Sequence, residues 1–312
     1  MDELAQSLEA FGPWDWACVG ANLLVAIAGV FALRCWRGLP GKTVASPLSV
    51  SDAVLGAATG FLAFGIIFGL VTQFVAQGFS THFGLSQAHV FTAAFCGQLA
   101  AAGAMLGMGF AAPATLDWAP SLEAAEPLPE GSALRRALRA FGVSRLLLSL
   151  LAIFALGLAA TLAWKGFHVA WEQLFLKGWA GQPPADEPQE IVDAVLKTDV
   201  DTWRFFTIVL AVTIGAPIME ELAFRGMIYP GLRRLGDAAA PGHGRWLAVF
   251  LTGALFSAAH LSPSAALPLF AFGAFMCLVR DRFGLLTCIA LHFSFNLWNL
   301  VWLKLAPNAS TL

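Results

Sequence analysis

The chain has 312 residues, of which 58% are hydrophobic and only 12% are charged, and its formal net charge is −2. Soluble globular domains carry about 25% charged residues, so this composition excludes an ordinary soluble domain. The slightly acidic balance also argues against a nucleic-acid partner, which would require a basic face. The five cysteines lie in or beside apolar runs and form no CxxC pair, so we expect buried free thiols.

Eight apolar segments approach the roughly 20 residues that a helix needs to cross a bilayer. The first is expected to be a retained span, because the acidic N-terminus lacks the basic flank of a secretory signal. The sixth and seventh are separated only by Ser262-Pro263-Ser264. The predicted spans are 16–36, 53–76, 90–112, 145–165, 204–230, 246–262, 264–280 and 283–304.

The predicted fold is therefore all-α. We expect a polytopic membrane protein with about eight transmembrane helices and a conical or bundle-like core around an intramembrane cavity. The chain divides into an N-terminal region, 1–203, with four spans and two long loops, and a C-terminal region, 204–312, with four more. The loop 113–144 ends in a basic stretch that suits either a surface helix or a solvated linker, and the loop 166–203 contains a predicted short helix after Pro188.

The distribution of basic residues predicts the orientation in the membrane. Alternate loops hold 13 of the 18 lysine and arginine residues. The positive-inside rule then places these loops in the cytoplasm and both termini outside. Several tryptophans fall at predicted span ends, as in an interfacial belt. We expect an integral protein of a bacterial plasma membrane.

A charged cluster interrupts the fifth span. Phe205 to Met219 contains no charged residue, and then Glu220, Glu221 and Arg225 follow within six positions. A charge at the bilayer centre costs about 2.5–3.5 kcal/mol, so three isolated charges would cost roughly 8–10 kcal/mol. Glu221 and Arg225 are spaced i and i+4 with the acid first, which favours an ion pair. Glu220 lies about 100° around the helix and is left for another role.

Three further polar residues occur in the later apolar spans. His260 is the only histidine or charged residue between Arg245 and Arg280. His292 and Asn296, spaced i and i+4, project from one face of the last span. At 1.5 Å per residue, Glu220 and both histidines are expected roughly 14–21 Å from the cytoplasmic surface. Each group taken alone has a structural interpretation, but their convergence in uncharged spans favours a functional site.

A carboxylate, two imidazoles and an amide are suited to hydrolysis of an acyl bond. Glu220 with His260 would hold and deprotonate a water molecule, while His292 and Asn296 would donate hydrogen bonds to the oxyanion. Alternatively, Glu220, His260 and His292 supply the two-histidine, one-carboxylate set of a catalytic zinc ion. These residues alone leave both mechanisms open. Pro217, which lies just before the two acids, is expected to kink the fifth span.

Together, the three motifs resemble those of the CAAX-protease and bacteriocin-processing (CPBP, also called Abi) family of intramembrane proteases. They are Glu220-Glu221-x-x-x-Arg225, Phe256-x-x-x-His260 and His292-x-x-x-Asn296, within about residues 204–302. The resemblance implies an eight-helix endopeptidase whose site opens to the cytoplasm. It also implies that Glu220 and His260 activate water and that His292 and Asn296 are oxyanion donors. The i,i+4 spacing of Glu221 and Arg225 assigns these two residues a structural role in support of the site.

The resemblance leaves the substrate and the metal open. In the eukaryotic branch of the family the substrate is a prenylated CAAX protein, so a membrane-associated or lipidated protein or peptide is the expected partner beside the bilayer. The enzyme is expected to be metallo- or glutamate-type, with zinc as the possible cofactor. Two other hypotheses are a proton-coupled transporter that uses Glu220 and the histidines as a relay and a non-catalytic immunity or scaffold protein.

Overall fold

The computed structural model describes residues 12, 13, 16, 20, 49–83, 90–111, 145–171, 190–197 and 202–305. All regular secondary structure in these ranges is helical. The predicted first span at 16–36 and the loop 113–144 lie outside the described residues, apart from residues 16 and 20. The α-helices are α1 Val50–Leu62, α2 Phe68–Phe83, α3 Val90–Ala111, α4 Arg145–Trp171, α5 Glu190–Lys197, α6 Trp203–Val209, α7 Ala216–Glu221, α8 Tyr229–Ala239, α9 Gly244–Ala259, α10 Ala266–Phe283 and α11 Leu285–Leu305. Three wider π-helical segments are π1 Ala63–Ile67, π2 Leu210–Gly215 and π3 Leu222–Ile228.

Five helices in the described part of the chain are long and apolar enough to cross a membrane, and they coincide with five of the predicted spans. The protein is therefore an all-α polytopic membrane protein, as predicted. The sixth and seventh predicted spans form α9 and α10. At about 1.5 Å per residue α9 is roughly 24 Å long, shorter than a bilayer core of about 30 Å, and α10 ends in Arg280, Asp281 and Arg282. The total of eight spans stays a prediction.

The chain forms two compact units, and neither is continuous in sequence. The first unit contains Met1–Val44, Ala119–Ala163 and Val279–Leu312, and the second contains Ala45–Trp118 and Trp164–Leu278. The second unit therefore holds the fifth span with Glu220 and also the helix α9. The first unit holds α11. The predicted boundary at residue 203 divides the chain into two continuous regions, and this division stays a prediction.

One long helical segment, Trp203–Ala239, is central to the second unit. Every residue from Met219 to Gly231 is buried, so this stretch lies in the interior of the unit. Helix α1 approaches it through glycines. A Cβ at Gly60 would lie 3.1 Å from the carbonyl oxygen of Ala223. A Cβ at Gly231 would lie 2.6 Å from the carbonyl oxygen of Ala53. The protein thus shields the charged cluster from lipid.

The same segment widens twice, and each wide turn comes just before a proline. In π2 the Ala216 N–H donates to the carbonyl oxygen of Ala211, five residues earlier. In π3 the residue before Pro230 likewise donates five positions back. A proline ring in a regular α-helix clashes with the carbonyl four residues earlier, and a wider turn makes room for it. The feature associated with Pro217 is thus a π turn that ends at Gly215.

In the first unit, α11 packs on the early part of α4 through small and polar residues. The Ser294 hydroxyl and the Trp298 indole N–H both donate to the Phe154 carbonyl oxygen, at 3.2 and 3.3 Å. A Cβ at Gly157 would lie 2.6 Å from the Ser294 Cβ, so the helices meet where α4 has no side chain. These contacts fix α11 against α4, and none of them was predicted from the sequence.

Candidate active site

Glu221 and Arg225 form a fully buried ion pair. The Arg225 Nη1 donates to the Glu221 Oε1 at 2.9 Å, and both side chains have no exposed surface. Because a charge removed from water is strongly destabilising unless it is paired, the two residues support one another's burial. The pair has the i,i+4 spacing that the sequence suggested, although Arg225 lies in the wide turn π3.

Arg225 also connects the motif helix to two other helices of the second unit. Its Nη2 donates to the Gly273 carbonyl oxygen of α10 at 3.1 Å. Its Cζ lies 4.6 Å from the ring centroid of Phe256 on α9, within the range of a cation–π contact. Phe256 also packs edge-on against Phe224, with ring centroids 5.2 Å apart. Arg225 is thus a junction of three helices, whereas sequence spacing indicated only its partner Glu221.

Glu220 lies at the C-terminal end of α7, one residue before Glu221. Its side chain is buried, with 9% of its surface exposed, in the interior stretch that begins at Met219. Since the short helix α7 has α-helical geometry, the two adjacent acids point in directions about 100° apart. Glu220 and Glu221 thus point in different directions, and Glu221 forms the ion pair with Arg225.

His260 caps the C-terminal end of α9 and is exposed. Its Nδ1 lies 2.8 Å from the Phe256 carbonyl oxygen. A carbonyl oxygen can only accept a hydrogen bond, so Nδ1 carries the proton. In the neutral imidazole the Nε2 atom is then a lone-pair acceptor, the form that a general base or a metal ligand requires. The backbone of the motif thus selects the tautomer of its own histidine.

The turn after His260 is strained and anchored. Leu261 has a φ of +49°, in the left-handed region that costs a non-glycine residue about 1–2 kcal/mol. The Trp171 indole N–H, at the end of α4, donates to the Pro263 carbonyl oxygen at 3.1 Å. Strained backbone next to a candidate catalytic residue is a recurrent feature of active sites.

His292 and Asn296 both lie on α11, in the first unit. His292 is buried, with 4% of its surface exposed, and Asn296 is half-buried. Their i,i+4 spacing on a continuous helix places both on one face.

In the second unit the structure brings the first two motifs together through Arg225 and Phe256.

The predicted zinc ligands are Glu220 and His260 in the second unit and His292 in the first unit. No group of three or more His, Cys, Asp or Glu side chains arranged to hold a metal occurs among the described residues. The zinc requirement stays a prediction for chemical analysis.

The fold and the polar constellation define a class of protein: a polytopic membrane protein whose helices carry buried charged and polar side chains. Residues 202–298 match the family model described as Rce1-like, type II CAAX prenyl endopeptidase Rce1-like. This match contains all three motifs and covers just under a third of the chain. The chain therefore carries an Rce1-like domain, and the resemblance drawn from the motifs is confirmed. No curated protein and no solved structure matches the chain.

Proposed function

We propose that this protein is an intramembrane endopeptidase that cleaves a peptide bond in a membrane-associated or lipidated, CAAX-like protein or peptide. The observation that carries the proposal is the pairing of an Rce1-like domain with a buried Glu220 and a His260 of defined tautomer. The active site opens towards the cytoplasm of a bacterial plasma membrane, which the distribution of basic residues supports.

In the proposed mechanism, Glu220 and His260 activate the attacking water. The carboxylate of Glu220 removes a proton as the water oxygen attacks the scissile carbonyl carbon, and the Nε2 lone pair of His260 accepts a hydrogen bond from the same water. The proton then passes to the leaving amine as the peptide bond breaks. Arg225 has no part in the chemistry, because its guanidinium is engaged by Glu221, Gly273 and Phe256.

The developing oxyanion requires hydrogen-bond donors, and we assign this role to His292 and Asn296. An imidazole N–H and a side-chain amide N–H are both suitable donors, each worth about 3–4 kcal/mol in the transition state when pre-oriented. The support for this assignment is the third motif of the family, carried on the continuous helix α11.

The zinc-dependent version, with Glu220, His260 and His292 as ligands, is the alternative proposal. Elemental analysis of purified protein, combined with activity after treatment with a strong chelator, separates the two. Full activity in metal-free protein supports the glutamate-type mechanism, whereas activity that is lost on chelation and restored by Zn²⁺ supports the metal-dependent mechanism.

The decisive experiment uses protein reconstituted in liposomes with a fluorogenic peptide that ends in a farnesylated CAAX sequence, and the same peptide without the prenyl group. Glu220→Gln should reduce cleavage about 10²–10⁴-fold while the melting temperature stays unchanged. Asp237→Asn, the matched carboxyl-to-amide change on α8 outside the motifs, should retain activity. Undiminished cleavage by Glu220→Gln would rule out the proposed role of Glu220.

A further inference from the structure

Gln98 is a buried polar residue that the three motifs do not include. It lies on α3, a predicted membrane span, and only 7% of its surface is exposed. No N–H or O–H group of the described residues donates a hydrogen bond to its Oε1. A buried acceptor without a donor is destabilising, and an apolar side chain of equal size would avoid this cost. The presence of an amide here therefore requires a reason other than packing.

The Oε1 of Gln98 lies against the backbone of Gly215. A Cβ at position 215 would overlap this oxygen and would also lie 2.9 Å from Cδ2 of Phe95. Because the oxygen lies too close to the Cβ position for any other residue to fit, one Cα–H of Gly215 points towards it. Cα–H groups of this kind make weak hydrogen bonds to oxygen acceptors at close helix contacts.

Gly215 ends the wide turn π2, which comes just before α7 and Glu220. A π turn accommodates one extra residue in a helix of 3.6 residues per turn, so it changes the relative direction of side chains on its two sides by about 100°. Helix α3 packs along both π2 and α7. The contact between Gln98 and Gly215 is therefore where α3 meets the turn that orients Glu220.

We propose that Gln98 is a positioning residue: its side-chain carbonyl holds the wide turn at Gly215 and thereby fixes the direction of the Glu220 carboxylate. This inference rests on the proposed catalytic role of Glu220. It adds a specific residue outside the Rce1-like match, which begins at residue 202. The amide thus links the N-terminal spans to the chemistry of the C-terminal domain.

The first test is kinetic and uses the farnesylated peptide in liposomes. Gln98→Met keeps the size but removes the acceptor, so kcat should fall about 10–100-fold with KM within about twofold. Gln98→Glu, which retains an Oε1 acceptor when its buried carboxyl group is protonated, should lower kcat less than Gln98→Met does. The matched control is Gln73→Met on α2, where the side chain is exposed, and it should change neither constant.

The second test does not depend on cleavage. N,N′-Dicyclohexylcarbodiimide, an apolar reagent that modifies protonated carboxyl groups, is applied to each variant, and the labelling rate of Glu220 is measured by mass spectrometry. Gln98→Met and Gly215→Ala should both change this rate, and Gln73→Met should not. Adding Gln98→Ala to Gly215→Ala removes the overlap but also the carbonyl, so this double variant should label Glu220 at a rate close to that of Gln98→Met and not at the wild-type rate.

The two tests separate this inference from the proposed function. A wild-type protein that cleaves neither peptide counts against the function, and the labelling rates then decide the inference alone. If Gln98→Met and Gly215→Ala label Glu220 at the wild-type rate, the positioning role is overturned. If Gln98→Met does not fold, the labelling rate of Glu220 in the Gly215→Ala variants tests the positioning role instead.

Discussion

The guanidinium of Arg225 lies against the ring of Phe256, with Cζ 4.6 Å from the ring centroid. The carbonyl oxygen of Phe256 in turn accepts the Nδ1–H of His260. Arg225 also pairs with Glu221, the neighbour of Glu220. One buried cation therefore joins the helix with the candidate acid to the helix with the candidate base.

Replacing Phe256 with leucine should weaken this junction. The ring is 1% exposed, and its loss removes the cation–π contact with Arg225 and leaves a cavity. We expect destabilisation of about 1–3 kcal/mol, measured by unfolding in mixed detergent micelles. Phe250→Leu, the same change at an exposed position of α9, should have a much smaller effect. Equal effects of the two substitutions would argue against the junction.

Removing the Arg225 charge should be far more harmful than removing the whole pair. Arg225→Met leaves Glu221 buried without its guanidinium, which costs about 3–5 kcal/mol. The double variant Glu221→Gln/Arg225→Met removes both charges and should recover most of that loss. Unfolding of the wild type and the three variants gives the coupling energy between the two residues. A coupling near zero would contradict the ion pair as the main support of Arg225.

Replacing His260 with asparagine tests the roles of its two ring nitrogens separately. The asparagine N–H₂ group can take the place of Nδ1 and donate to the Phe256 carbonyl oxygen, but nothing replaces Nε2. We expect a loss of cleavage of about 10²–10⁴-fold with an unchanged melting temperature, because His260 is exposed at a helix end. Wild-type activity in this variant would show that Nε2 takes no part in the reaction.

In the first unit, Gly157 determines how closely α4 approaches α11. Gly157→Ala places a Cβ 2.6 Å from that of Ser294 and should displace the helix that carries His292 and Asn296. Both melting temperature and cleavage should fall, and adding Ser294→Gly should restore part of each. Gly166→Ala on the same helix meets nothing within 4 Å and should be neutral or stabilising by about 0.4–1 kcal/mol. Similar behaviour of the two alanine variants would disprove the close contact.

The sequence was sufficient for features that depend on local pattern. Uncharged stretches of span length predicted the five membrane helices in the described part of the chain, since hydropathy over about 20 residues decides whether a segment can enter a bilayer. The short helix after Pro188 is present as α5. The order and spacing of Glu220, His260 and Asn296 predicted the Rce1-like domain.

Tertiary structure decided the features that depend on distant partners and on backbone geometry. Sequence spacing paired Arg225 with Glu221, but the Gly273 carbonyl oxygen and the Phe256 ring reach it only through the packing of three helices. The sequence indicated an irregularity of the helix at Pro217, but it predicted a kink, whereas the structure has a π turn just before the proline. Gln98 had no signal at all, because its contact with Gly215 joins residues far apart in the chain. Sequence alone thus determined which groups enter the membrane, and packing determined the helix contacts that surround them.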